Sequence, residues 1–274
     1  MDCHVHLGPS DSGEVYYGRL EGPEYLELMP PAGLTHAIAF PPLRHGGYAS
    51  ANRTLLEWCD ALPPGGPTVR PLARVGGDRI PVTEPQLWLV RKAARARVLA
   101  TLGRRRAADV ATDQLARYAG IKLLPHLDGL PGDDVFDAVN QLGRPVLTHA
   151  GRYVTPDWIA RTVLPRVRGR LVLAHLGAFP DREADLKAAV ALAEREPRVV
   201  LDPSGIWIED FWRYAIERVP RQIVFGSDCP LTAPAVAWTF LEHVVRDPGL
   251  RRHMGGELPF EVFDSVIRTR EPQP

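Results

Sequence analysis

The chain reads PVLTH at residues 145–149 and LVLAH at residues 171–175, two apolar runs that each end in a histidine. Short apolar runs of this kind are typical of buried strands. The same pattern, a polar residue at the end of a strand-like run, recurs every 26 or 27 residues at Lys122, His149, His175, Asp202 and Asp228. We interpret this interval as the length of one strand and its following helix.

Eight segments of the sequence are predicted to be strands: residues 2–7, 35–40, 69–75, 120–124, 145–149, 171–175, 199–202 and 222–227. Helical patterns separate most of them. One begins at Thr155-Pro156, a capping residue before a proline, and others cover residues 208–219 and 233–245. This alternation favours an α/β fold with a closed parallel sheet, a single (β/α)8 TIM barrel over residues 1–274.

The stretch between the third and fourth predicted strands is longer than one helix requires. Residues 86–100 and 106–118 are predicted to form two helices there.

The polar residues at the strand ends are predicted to share one face of the barrel. In such a barrel the carboxyl ends of the strands form the active-site mouth, so Lys122, His149, His175 and Asp228 are expected to ring it. A buried histidine with a satisfied hydrogen bond is the alternative for His149 or His175 alone. Asp202 either orients a histidine or forms a turn.

The first strand has the sequence DCHVH at residues 2–6. Residues two apart on a strand face the same side, so Asp2, His4 and His6 are expected to point into the barrel, with Cys3 and Val5 towards the helices. Two imidazoles on one strand face can converge on a single cation, and zinc, manganese and iron accept such ligands.

The sequence GSDCP at residues 226–230 follows the last predicted strand. This strand lies beside the first one in a closed barrel, so Asp228 is expected to face His4 and His6. A carboxylate there can bind a metal and also accept a proton from an activated water. A helix cap or turn residue is the alternative for Asp228 alone.

Together, DCHVH, the two strand-ending histidines and GSDCP resemble the amidohydrolase superfamily. GIKLLP at residues 120–125 resembles the fourth strand of its branch that includes aminocarboxymuconate-semialdehyde-decarboxylase-like proteins, although LLPH at residues 123–126 stands where many relatives have LHP. The resemblance covers nearly the whole chain. It implies a (β/α)8 enzyme with one or two divalent metals that hydrolyses amide, lactone or ester bonds or, in some members, removes CO₂.

The resemblance also implies residue roles. In a one-metal site the ligands would be His4, His6, His149 and Asp228. His175 would polarise the water or the substrate carbonyl. In a two-metal site Lys122 would be carbamylated and bridge the metals, with His149 and His175 on the second metal; the one-metal site is the preferred interpretation.

Two residues are candidates for binding an anionic substrate group. Arg152 follows His149 closely, and its guanidinium suits a carboxylate; Lys122 can do the same as an ammonium in the one-metal state. Other polar or aromatic residues lie just past strand ends, where substrate-contacting loops are expected, and are interpreted as solvated loop residues in preference to substrate contacts: Arg44, His45, His126 and Trp207.

The sequence therefore predicts a metal-dependent hydrolase of a small amide, lactone or ester, with Asp228 as general base. Zinc is the expected metal, with manganese or iron as alternatives. A metal-dependent decarboxylase of a small carboxylic acid is the first alternative function, and the ligand set does not separate it from the hydrolase. A non-catalytic binding barrel is the second.

The composition argues against other classes of protein. The 274 residues include 33 basic and 33 acidic ones, a formal net charge of zero, so no basic surplus favours nucleic acid or an anionic membrane. No apolar run long enough to span a membrane and no charged leader is found. Three widely spaced cysteines do not suggest a disulfide framework, and a cytoplasmic location is expected. The expected partner is a small-molecule substrate, and a homo-oligomer is compatible with the sequence.

Overall fold

The computed structural model describes residues 1–11, 19–44, 47–77 and 109–263. The strands in these residues are β1 (Asp2–His6), β2 (His36–Phe40), β3 (Thr68–Pro71), β4 (Ala73–Val75), β5 (Ile121–Leu123), β6 (Val146–Thr148), β7 (Leu171–Leu173) and β8 (Val199–Leu201). Successive strands pair in parallel from β1 to β3 and from β4 to β8. This pairing requires a crossover connection between paired strands.

The third predicted strand is divided into two short strands that pair with different neighbours. This strand supplies both β3, which pairs with β2, and β4, which pairs with β5. Between them, the Leu72 amide donates to the Ala39 carbonyl at 2.8 Å and the Ala73 amide donates to the Gly120 carbonyl at 3.0 Å. The two groups of strands are therefore parts of one sheet.

Residues 222–229, the closing segment, occupy the place of the predicted eighth strand. The Val224 amide donates to the Leu201 carbonyl at 3.0 Å, and on the other side the Cys3 amide donates to the Phe225 carbonyl at 2.9 Å. Only isolated bridges form here, so the segment is less regular than predicted. The barrel is nevertheless closed, and the (β/α)8 prediction is confirmed.

Helices cover the outside of this sheet and one end of it. The α-helices span Gly22–Leu28, Ala49–Asp60, Pro125–Asp128, Asp133–Gln141, Pro156–Thr162, Glu183–Arg195, Glu209–Arg218, Pro234–Val244, Pro248–Arg252 and Leu258–Phe263. Thr155 caps its helix as predicted, accepting a hydrogen bond from the Trp158 amide. In the described ranges, none of the helices has both the length and the apolar character needed to cross a membrane.

Two hydrophobic clusters reflect the two faces of the strands. The interior cluster includes Leu147, Val172 and Val200 from three paired strands. The alternate residues of the same strands pack in a second cluster with the apolar faces of the helices. Helix Leu258–Phe263 contributes to the interior cluster and so covers one end of the barrel. The polar site lies at the other end.

The expected alternation along β1 is wrong for its first residues. Cys3 belongs to the interior cluster, whereas Asp2 accepts a hydrogen bond from Tyr25 of helix Gly22–Leu28. The register of β1 against β2 shifts between Asp2 and Val5, and such a bulge changes which face a residue occupies. Sequence spacing alone gives no sign of this irregularity.

The long connection after β4 is described only in part. The predicted helix at residues 86–100 lies outside the described residues. Of the predicted helix at residues 106–118, the described part contains a 3-10 helix, Thr112–Arg117.

Candidate metal centre

Three side chains from the two ends of the chain meet at the mouth of the barrel. His4 and His6 come from β1 and Asp228 from the closing segment, and one ligand atom of each lies within 4.8 Å of the others. Oδ1 of Asp228 lies 3.3 Å from Nε2 of His4 and 3.1 Å from Nε2 of His6. The structure therefore brings together three of the four residues expected to hold a single metal.

This group, called the His4–His6–Asp228 group below, fits a divalent cation. Within the described part of the chain, Oδ1 of Asp228 is buried and accepts no hydrogen bond of good geometry. Such an oxygen is costly unless a cation or water meets it. Two imidazole nitrogens and one carboxylate oxygen form a donor set that zinc, manganese and iron accept.

The charge states of these residues suit metal binding. Burial lowers the pKa of His4 and of His6, which favours neutral rings with a lone pair to offer. Burial alone would raise the pKa of Asp228, but the neighbouring imidazoles of His4, His6 and His175 outweigh it and the pKa is lowered. Asp228 is therefore a carboxylate at neutral pH.

The backbone around Asp228 is held against β1. Asp228 has a left-handed conformation, with φ of 62°, which is uncommon for a residue other than glycine and recurs at functional sites. Its amide donates to the His4 carbonyl at 2.9 Å. Ser227 donates to the Asp2 carboxylate from its amide at 2.9 Å and from its hydroxyl at 2.6 Å. Burial raises the pKa of Asp2 to about 6, while the hydrogen bonds from Ser227 oppose this shift.

Asp202, after β8, sets the orientation of His4. Its Oδ2 lies 2.5 Å from Nδ1 of His4, so Nδ1 carries the proton and Nε2 is left to face Asp228. Asp202 Oδ1 also accepts a hydrogen bond from the Ser204 amide at 2.9 Å. Both interpretations of Asp202 from the sequence, an orienting residue and a turn residue, thus hold.

Lys122, on β5, places a buried amine beside the same histidine. Its Nζ lies 3.4 Å from Nε2 of His4 and 4.6 Å above the ring of Phe40. Burial lowers the pKa of Lys122, and the carboxylates of Asp202 and Asp228 oppose this shift. A low-dielectric position next to carboxylates suits either an ammonium or a chemically modified amine.

A second buried cation, Arg74, was not predicted. Arg74 pairs in register with Lys122 on the neighbouring strand, and its Nε donates to Asp128 at 2.9 Å. Tyr48 donates to the other oxygen of Asp128 at 2.8 Å. The sequence contained a usable signal, because Arg74 is a charged residue two positions after Leu72, inside an apolar strand pattern that points into the barrel.

His175 and His149 lie together beside the His4–His6–Asp228 group. Nδ1 of His175 donates to the Ser204 carbonyl at 2.7 Å, and Nε2 of His175 lies 3.1 Å from Nδ1 of His149. Burial lowers the pKa of both rings. Among the described residues, the cluster of ligand atoms within 4.8 Å of one another contains His4, His6 and Asp228 but not His149. Metal binding by His149 therefore stays a prediction.

Aromatic rings extend this histidine pair outward. His126 lies 4.8 Å from His149 between ring centres and stacks on Tyr153 at 5.3 Å. His126 is buried, so its interpretation as a solvated loop residue is wrong: helix Pro125–Asp128 turns it towards the histidines instead of solvent. Arg152 is half-buried, with its guanidinium 5.7 Å from the centre of the Tyr153 ring.

The other residues predicted to be solvated differ in their exposure. Trp207 is exposed, as expected, and Arg44 is half-buried. His45 lies outside the described residues.

Comparisons with known proteins agree with this architecture. The sequence model of the amidohydrolase family matches residues 1–257. Comparison with curated protein sequences gives no match.

Several solved structures resemble the chain over nearly all of both lengths. A probable 2-pyrone-4,6-dicarboxylic acid hydrolase from Acinetobacter baumannii, with citric acid bound, has a TM-score of 0.62 and 16% identity, covering 96% of this chain and 98% of that one. The 2,6-dihydroxybenzoate decarboxylase from Rhizobium has a TM-score of 0.58 and 14% identity, covering 96% and 98%. A dihydroxybenzoic acid decarboxylase from Polaromonas sp. JS666, with bound manganese and 2-nitroresorcinol, has a TM-score of 0.57 and 14% identity, covering 96% and 97%.

Replacing Gly226 with alanine is expected to disturb the packing of Asp202 against His4. A Cβ at position 226 would lie 2.4 Å from Oδ1 of Asp202 and 2.9 Å from Cβ of His4. We expect Gly226→Ala to lower the free energy of unfolding by about 1–3 kcal/mol, the usual cost of overpacking. Urea denaturation measures this change.

Gly256→Ala is the matched control, because a Cβ at position 256 would meet no atom within 4 Å. Gly256 lies in the helical segment His253–Glu257, where alanine stabilises by up to about 1 kcal/mol. Equal denaturation midpoints for the two variants would contradict the packing argument.

Proposed function

The chain belongs to the amidohydrolase family, and we propose that it is a metal-dependent hydrolase of a small, carboxylate-bearing lactone, ester or amide. The observation that carries this proposal is the position of Asp228. Its buried, ionised carboxylate faces two histidines through Oδ1, while Oδ2 lies 4.0 Å from Nδ1 of a third histidine, His175. One carboxylate can thus help to hold a cation and exchange a proton with the reacting groups.

The metal would be held by His4, His6 and Asp228, with His149 as the further ligand expected from the sequence. When bound there, a divalent cation supplies Lewis-acid activation of a water molecule and of a substrate oxygen. Zinc is our preferred metal, since two neutral imidazoles and a carboxylate suit it. The manganese in the Polaromonas structure supports a divalent cation in this class of barrel and keeps manganese as an alternative.

Asp228 would take the proton from the attacking water. The low pKa of Asp228 means that the carboxylate is available as a base throughout the neutral range. After the acyl bond breaks, the same carboxyl group would return the proton to the leaving oxygen or nitrogen. A base in this position contributes about 10²–10⁴-fold to the rate.

His175 would accept a hydrogen bond instead of donating one. Its Nδ1 proton is engaged by the Ser204 carbonyl, and burial lowers the pKa of the ring. A neutral ring in this tautomer presents a lone pair on Nε2. We therefore favour a role in orienting the water over the expected polarisation of a substrate carbonyl.

Lys122 would bind the substrate carboxylate. It is buried within the mouth and lies beside the His4–His6–Asp228 group, and an anion there would be bound in a low-dielectric environment. The acids named for the similar structures support an acidic substrate. We prefer one metal and an unmodified Lys122, because GIKLLP at residues 120–125 resembles the decarboxylase-like branch, where a single metal is the commoner arrangement. Two metals would require a carbamylated Lys122, since an ammonium beside two divalent cations would be strongly repelled. Arg152 remains the candidate for a second anionic group.

Decarboxylation of a small carboxylic acid is the second candidate. Its support is that several of the similar structures bear the names of aromatic acid decarboxylases. The same Lys122 and metal would then hold the carboxylate that leaves as CO₂, and Asp228 would handle the proton that replaces it.

Purified protein is expected to contain about one divalent metal per chain, as a mononuclear site requires. Elemental analysis of protein prepared without chelators measures this. His6→Ala should lose most of the metal, because one of the converging nitrogen ligands is removed. His36→Ala is the control, since His36 lies at the start of β2 and packs on Phe260.

A wild-type protein that neither retains nor takes up Zn²⁺, Mn²⁺ or Fe²⁺ would contradict the proposed centre. A second equivalent of metal that binds only with bicarbonate would instead indicate a carbamylated Lys122.

Asp228→Asn is expected to reduce turnover by about 10²–10⁴-fold without unfolding the protein. The amide keeps an oxygen at the same place but cannot accept the proton. The measurement is kcat on a substrate found by screening carboxylate-bearing lactones, esters and amides. Turnover close to that of the wild type would remove Asp228 from the mechanism.

Product analysis of the same reaction in ¹⁸O-water separates the two candidate functions. Hydrolysis places the label in the product acid. Release of CO₂ from a shortened product, with no label in its remaining acyl groups, would favour decarboxylation.

Lys122→Met is expected to raise KM for an acidic substrate by about 10–100-fold, the value of a charged hydrogen bond of about 1.5–3 kcal/mol. The uncharged methyl ester of the same acid should be affected much less. Lys187→Met is the control, because Lys187 forms an exposed ion pair with Glu183. Unchanged KM values for both compounds would exclude substrate binding by Lys122.

A further inference from the structure

We propose that Ser204 is a positioning residue that fixes, through Asp202 and its own carbonyl, the Nδ1-protonated form of both His4 and His175. Ser204 follows β8 and is itself buried. It lies between a histidine of the His4–His6–Asp228 group and the histidine beside that group. The functional consequence of this role rests on the proposed metal-dependent reaction; the protonation pattern itself does not.

The first contact runs through Asp202 to His4. The Ser204 hydroxyl donates to Oδ2 of Asp202 at 2.9 Å, the same oxygen that lies 2.5 Å from Nδ1 of His4. The Ser204 amide donates to Oδ1 at 2.9 Å. Burial raises the pKa of Asp202 to about 6, and the hydrogen bonds from Ser204 oppose this shift and favour the anion. The contact with Nδ1 of His4 then holds the proton of that ring on Nδ1.

The hydroxyl of Ser204 also contacts His4 directly. Oγ lies 3.0 Å from Nδ1 of His4. Because its single hydrogen is directed at Asp202, Oγ can only be a second, longer acceptor of the Nδ1 proton that His4 donates to Asp202. Nε2 of His4 is thereby left with its lone pair directed at the His4–His6–Asp228 group.

The second contact runs from the Ser204 backbone to His175. The Ser204 carbonyl lies 2.7 Å from Nδ1 of His175, and a carbonyl can only accept. The hydroxyl lies 3.5 Å from the same nitrogen. The proton of His175 is therefore on Nδ1, and its Nε2 lone pair faces His149. One residue thus sets which nitrogen is available on two functional histidines.

The turn that presents Ser204 is packed closely against the site. Gly205 has φ of 71°, and a Cβ there would lie 3.2 Å from Oδ2 of Asp228 and 3.3 Å from Nδ1 of His175. A larger residue would push the turn away from both. The close approach and the hydrogen bonds to Asp202 keep the Ser204 carbonyl and hydroxyl in place.

The protonation pattern can be measured in metal-free protein labelled with ¹⁵N in its histidines. Long-range ¹H–¹⁵N spectra distinguish the two neutral forms of the ring, and His4→Asn and His175→Asn identify the two signals by their loss. We expect both rings to carry the proton on Nδ1. A proton on Nε2 of either ring in the wild type would overturn the proposal, whether or not the protein binds metal.

The contribution of Ser204 and Asp202 to metal affinity is measured as the dissociation constant for Zn²⁺. The protein competes with a chromogenic chelator for the metal. Loss of a partner that orients a metal-binding histidine typically costs about 10–100-fold in affinity. We expect Asp202→Asn to fall in this range and Ser204→Ala to show about a tenfold loss, while Ser204→Thr, which keeps the hydroxyl, stays close to the wild type. Thr239→Ala is the control, because Thr239 is exposed on helix Pro234–Val244.

The two proposals fail differently. A wild-type protein with both rings protonated on Nδ1 but no affinity for Zn²⁺, Mn²⁺ or Fe²⁺ would contradict the metal-dependent function and leave the role of Ser204 in the ring protonation intact. A wild-type protein that binds metal, with Ser204→Ala equal to it in affinity and in the His4 spectrum, would overturn the role of the Ser204 hydroxyl alone; the His175 spectrum of the wild type tests the role of the Ser204 carbonyl, which the variant keeps. If Ser204→Ala does not fold, the proposal is still tested by the wild-type spectra, which show the protonated nitrogen of each ring, and by the metal affinity of Ser204→Thr.

Discussion

Closure of the barrel between the first strand and the closing segment is the constraint on which the site depends. The Asp228 amide donates to the His4 carbonyl and the Cys3 amide to the Phe225 carbonyl, so the two ends of the chain lie side by side. This pairing places a carboxylate opposite two imidazoles that are more than 200 residues away in sequence. Asp2 and Ser227 reinforce the same contact through hydrogen bonds. Without closure, none of the three side chains of the His4–His6–Asp228 group would have its partners.

Charge balance explains why so many ionisable groups can be buried at one end of the barrel. Lys122 and Arg74 lie in the mouth with three carboxylates, those of Asp128, Asp202 and Asp228. Buried charges are tolerated only when they are paired or bind a cation. Arg74 is matched by Asp128. Lys122 alone does not balance the remaining two carboxylates, and this excess negative charge favours a bound cation next to Asp228.

The layered arrangement also explains how a stable barrel carries this polar site. The interior cluster fills the lower part of the barrel with aliphatic side chains and is covered by the last described helix. The polar residues follow at the carboxyl ends of the strands, where the backbone leaves its regular geometry: Asp228 and His175 both have positive φ values, 62° and 60°. Irregular backbone of this kind is maintained by its surroundings, here by hydrogen bonds to His4 and to Ser204.

The sequence by itself determined the number and order of the strands, the parallel barrel and most of the polar residues at its mouth, with Arg74 and His126 as the exceptions. Periodic apolar runs with polar ends are local features, and each reports on its own strand. The irregular closing segment and the bulge in β1 were not predictable, because they depend on how neighbouring strands pair.

Only the tertiary structure decided which of the polar residues touch. It brought His4, His6 and Asp228 together, set His149 against His175, and revealed the Arg74–Asp128 pair and the contacts of Ser204. Spacing along a strand assigns a side chain to a face, but distances between side chains of different strands depend on register, bulges and left-handed residues. These are properties of the closed sheet as a whole, and no single segment of the sequence contains them.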